Sequence, residues 1–95
     1  MLNFSFTNIK FSRCNVGDGL RITGEVHNCM AKSFDAVSLR VTVFLRNMPV
    51  ANTTLVINAL GSQKSRTFEK ELEEIKYVDG LERAVHCEIY PESAY

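Results

Sequence analysis

The strongest metal ligands and nucleophiles in this chain are two imidazoles, His27 and His86, and three thiols, Cys14, Cys29 and Cys87. A structural zinc ion wants four converging nitrogen or sulfur ligands, usually supplied as pairs at short spacing. His27 and Cys29 stand two apart, so on a strand they share a face. His86 and Cys87 are adjacent and point to opposite faces. The sequence holds no Cys-x-x-Cys or His-x-x-x-His pair, so a metal site would need two separate strand ends to meet. A thiol nucleophile needs a nearby His and a carboxylate that orients it. Those residue types are present, but no local motif arranges them. The primary reading is therefore no catalytic residue, no cofactor and no metal. The alternative is a small metal-binding or thiol-dependent protein built on the His/Cys groups.

Other patterns are weaker. "VGDGL" (Val16 to Leu20) has two glycines but joins two apparent strands and opens no helix, so it lacks the geometry of a phosphate loop. Glu69, Glu71, Glu73 and Glu74 are interleaved with Lys70 and Lys76. That reads as a solvated charged face and not as a calcium loop, which uses Asp, Asn and Gly in a tight turn. Asn3-Phe-Ser and Asn52-Thr-Thr fit the glycosylation acceptor pattern, as chance allows in a chain rich in these residues.

Charge narrows the function classes. Eleven Lys and Arg balance eleven Asp and Glu, so the basic excess that neutralises nucleic-acid phosphates is missing. No apolar run approaches the ~20 residues of a membrane-spanning helix. The opening "MLNFSFTNIKFSRC" lacks a basic segment followed by an apolar one, so no targeting signal is read there. Three cysteines would leave one over from a single bridge, which argues for free thiols and against an oxidising compartment. The expectation is one domain, residues 1–95, with no nucleic acid and no direct membrane insertion.

The segments that must carry these side chains read as strands. Phe4 and Phe6 alternate, then Ile9 and Phe11 alternate in the opposite phase, a slip that a bulge produces. "NVGDG" then breaks the chain as a hairpin turn does. In "LRITGEVHNC", Leu20, Ile22, Gly24 and Val26 lie on one face, and Arg21, Thr23, Glu25 and His27 on the other. Asn28 ends that alternation, and a short polar side chain there can bond nearby backbone and start a turn. After the loop "NCMAKSFDA", Val37, Leu39, Val41, Val43 and Leu45 form the apolar face of the clearest strand. "NMP" turns the chain, Pro49 being unsuited to a central strand. "VANTTLVINAL" is β-branched. The last strand sets Val85, Cys87 and Ile89 against His86, Glu88 and Tyr90. One segment conflicts with itself. Phe68, Leu72 and Ile75 are spaced as on a helix, and local rules favour a helix from about Thr67 to Lys76.

Residues 20–90 resemble the FxLYD-type module and its CARDB-like and LEA14/WHy-like relatives. The resemblance rests on Gly24-x-Val26-x-Asn28, on "VSLRVTVFL", and on Leu60 followed eight residues later by Phe68. Phe44 and Leu45 stand where Tyr-Asp is usual, and the turn after Leu60 lacks the common Pro-Gly. The resemblance implies an all-β, immunoglobulin-like β-sandwich of six to seven antiparallel strands, with "SRTFEKEL" as a strand. It further implies a non-catalytic protein-interaction or structural module, one domain of a larger extracytoplasmic or surface-associated protein.

A protein partner, or self-association, needs a surface. The strand from Val37 to Arg46 offers Arg40, Phe44 and Arg46 on its outward phase, and Phe44 is the apolar exception there. Arg and aromatic residues are enriched at interface hot spots. Two arrangements give Phe44 different surroundings. If residues 20–28 and 37–46 form a hairpin, Glu25 meets Arg40 and Arg21 covers Phe44. An immunoglobulin-like order instead puts these strands in different sheets, and Phe44 needs another cover.

Overall fold

A computed structural model describes residues 2–95. Six strands run in the order β1 (Phe4–Arg13), β2 (Gly19–Asn28), β3 (Phe34–Leu45), β4 (Met48–Leu60), β5 (Ser65–Lys76) and β6 (Val85–Ala94). A single helical turn, α1 (Leu81–Ala84), precedes β6. The strands form two antiparallel three-stranded sheets, sheet A ordered β1-β2-β5 and sheet B ordered β4-β3-β6. The fold is an all-β sandwich. The hairpin between residues 20–28 and 37–46 does not form, because β2 and β3 are the centres of different sheets.

Alternation sets the core. On β2, Leu20, Ile22 and Val26 are buried with Gly24 between them; on β3, Val37, Leu39, Val41 and Val43 are buried. Full burial of each such aliphatic side chain is worth about 1.5–3 kcal/mol. The slip expected in the first strand is a bulge between Thr7 and Lys10, with Asn8 at φ 54°. The bulge lets Phe6 and Ile9 both pack against the core.

Residues 65–76 are strand and not helix. Phe68 and Leu72, four apart, already share a strand face. Ile75 reaches the same side through a register shift, since Gly19 pairs with Lys76 while Leu20 pairs with Leu72. A bulge thus reproduces helical spacing inside a strand, and sheet pairing with β2 overrides local propensity.

Between β3 and β4 the turn is Arg46-Asn47, with both φ positive (50° and 68°), a two-residue reversal of the type that suits the twist of paired strands. The expected turn at "NMP" is therefore displaced, and Met48 and Pro49 open β4. Pro49 is accommodated because β4 is an edge strand. β3 also begins earlier than its alternation suggested, at Phe34.

Candidate functional site

The outward phase of β3 lies at the centre of sheet B. Register places Thr54 and Tyr90 on either side of Arg40, and Pro49 and His86 on either side of Phe44. The cover that Phe44 needs is His86, whose ring stacks on it at 5.1 Å between centroids and 11° between planes. Arg40 forms a fork on Glu92, with Nε 3.2 Å from Oε1 and Nη2 3.0 Å from Oε2. Its Nη1 donates to Asn52 Oδ1 at 2.8 Å. One guanidinium therefore ties the centre of the sheet to both neighbours, and the fork geometry suits a carboxylate. The Glu92 hydrogen bond, more than its charge alone, raises the Arg40 pKa further above its ordinary value.

Arg46 does not share this face. It occupies the β3–β4 turn, where its backbone N–H reaches Ala84 O at 3.4 Å and the residue borders a cleft with Val78 and Leu81. Arg40 and Phe44 are brought together, and Arg46 is separated from them by the positive-φ turn. Two residues that the sequence reading left out of this surface belong to it. Tyr90 is 49% exposed beside Arg40, and Val56 is 58% exposed on β4 opposite Ser38. Their outward phase was visible in the alternation; their adjacency to β3 depends on strand order.

The His and Cys groups are dispersed. His27 lies outward on sheet A, its Nδ1 2.8 Å from Ser65 Oγ, whereas His86 stacks outward on sheet B. Among the described residues no three of His, Cys, Asp and Glu converge in a way that could hold a metal ion. The three cysteines are free thiols. Cys14, not Cys87, is the buried one, and burial pushes its thiol pKa up, with the charge of Glu71 adding to the effect. Burial also raises Cys87. Cys29 lies near the surface with Sγ 3.8 Å from Ser5 Oγ.

Asn28 is fully buried and serves structure. Its Nδ2 donates to Lys32 O at 2.8 Å and lies within bonding range of Leu60 O and Gly61 O. Its Oδ1 accepts from Met30 N at 2.9 Å. Ser62 reinforces the joint, its Oγ donating to Met30 O at 2.8 Å. One amide thus locks the β2–β3 loop against the β4–β5 turn, with every buried polar atom of its side chain satisfied. No known protein family, curated protein or solved structure matches this chain.

Proposed function

We propose that the chain is a non-catalytic protein-interaction or structural module of FxLYD-like, immunoglobulin-like type. Strand order supports the fold half of this reading. A β1-β2-β5 sheet facing a β4-β3-β6 sheet follows the A-B-E and C′-C-F arrangement of immunoglobulin-like sandwiches. Function is carried by one observation, the difference between the two outer faces. The paired outward positions of β2 and β5 in sheet A are Arg21, Thr23, Glu25 and His27 with Glu71, Glu69, Thr67 and Ser65 opposite them, all polar. Sheet B turns Phe44, Tyr90 and Val56 outward around the Arg40–Glu92 pair. An aromatic surface with a charged fork at its centre has the composition of a protein contact site.

Tyr90→Ser tests the reading, because this ring is half exposed and can be removed with little loss of core. Immobilised wild-type chain and variant are compared for capture of a partner from extract of the native cells, with melting temperatures measured in parallel. The expected result is at least a tenfold loss of capture with the melting temperature held within a few degrees. Equal capture by both proteins would sink the sheet B face as the contact surface.

A further inference from the structure

Each three-stranded sheet leaves two edges with unpaired backbone groups, and an open edge is a template for another strand. Three of the four edges carry the features that block such pairing. β1 has the bulge at Asn8 together with Lys10 and Arg13. β5 alternates acids and bases from Arg66 to Lys76 and bulges before its end. β6 carries Glu88, Glu92 and Pro91, with a register shift of its own. β4 differs. Its thirteen residues, Met48–Leu60, include no charge at all. Between the extra residue Val50 and the left-handed Ala59 (φ 56°), Ala51–Asn58 keeps unbroken register with β3 and has no charge and no proline. Val50 is 37% exposed and Val56 58%.

We propose that the free edge of β4 pairs antiparallel with β4 of a second copy across a two-fold axis at Thr54, joining two copies of sheet B into one six-stranded sheet. This rests on the interaction-module reading and adds a self-contact through the strand edge, separate from the Phe44/Tyr90 face. A second copy is the occupant that the charge pattern favours. Two-fold pairing sets a strand against itself, so any charge near its middle meets its own copy. β4 alone avoids that repulsion. An axis at Thr54 falls within that regular stretch, setting Ala51 opposite Ile57, Asn52 opposite Val56, and Thr54 opposite itself. Thr–Thr is a favourable cross-strand pair. Seven paired residues span about 23 Å of edge at ~3.3 Å each. Both Phe44/Tyr90 surfaces then lie on one side of the extended sheet.

The test is mass by light scattering over a concentration series, for wild type, Val56→Lys on the β4 edge and Ser5→Lys on the exposed β1 edge. Wild type and Ser5→Lys should move from the 10.7 kDa of one chain toward twice that mass. Val56→Lys should self-associate at least tenfold more weakly, since an edge lysine blocks strand addition. Circular dichroism checks that it keeps the sheet spectrum; if it does not, Asn58→Lys, also exposed, is read in its place. A wild-type chain that stays at 10.7 kDa throughout overturns the proposal, and so does association unchanged by the β4 lysine. The sheet B face fails separately as the contact surface, through unchanged capture by Tyr90→Ser.

Discussion

Sheets A and B are both three-stranded and antiparallel but put their sequence exceptions on opposite sides. In sheet A the exceptions face inward. Gly24 interrupts the aliphatic row of β2, and Asn28 sets a polar amide at its buried end. In sheet B the inward row of β3 is Val37, Leu39, Val41 and Val43 without a break, and the exceptions, Phe44, Tyr90 and Val56, face outward. An inward exception must be met by a matching partner inside the protein. Gly24 is met by Ile9 and Phe68: a Cβ built at that position would lie 2.5 Å from Ile9 Cδ1 and 2.7 Å from Phe68 Cζ. Asn28 is met by backbone groups of both flanking turns. An outward exception needs only partial cover, and the rest stays available for contact. Inward exceptions therefore should govern stability and outward ones association.

The largest effect expected from this contrast is at Asn28. Asn28→Leu takes the partner from the part-buried Met30 N–H and the part-buried Lys32 and Gly61 carbonyls, and each such group costs about 1–3 kcal/mol where water cannot replace the partner. Urea unfolding should show a loss of about 3 kcal/mol or more. A near-neutral result would mean that solvent reaches the joint between the two turns.

Gly24→Ala comes next. The new methyl overlaps two side-chain ends that can shift, so the expected loss is about 1–3 kcal/mol. Ile9→Val in the same chain sharpens the comparison. By removing the atom closest to the new methyl, it should recover part of the loss in a double-mutant cycle. Strictly additive losses would show that Phe68 alone sets the limit.

Phe44→Ser should be smallest. It removes a half-buried ring and its stacking on His86, the latter worth about 1 kcal/mol. At about 4–8 °C per kcal/mol for a chain of this size, melting should fall by roughly 5–10 °C. A loss greater than that of Gly24→Ala would break the contrast and make Phe44 part of the core.

Much of this fold was legible in the sequence, for a physical reason. β2 and β3 are central strands with one face buried, so period-2 alternation from Leu20 to Val26 and from Val37 to Val43 records that face directly. β5 was ambiguous because its bulge changes the period: Phe68, Leu72 and Ile75 are spaced for a helix yet lie on one side of a strand. The candidate surface was legible only one strand at a time. Arg40 and Phe44 could be placed outward from their phase. Their partners, Glu92 and His86, come from a strand about forty to fifty residues away, and no local signal fixes that register. Arg46 was misplaced because alternation was carried one residue too far, into a turn lacking the Asn-Gly or Asp-Gly pair that usually marks it.

The strand order also bears on how fast the chain can find its fold. Hairpins β1–β2 and β3–β4 join neighbours in sequence and need only short loops to close. Neither hairpin completes a sheet. Gly24 must wait for Phe68, and Val41 for Ile89, before the central strands have both partners. Closing these long loops costs chain entropy before the distant pairings repay it. Two early hairpins followed by slow docking of β5 and β6, in milliseconds to seconds, is the kinetic signature this topology dictates.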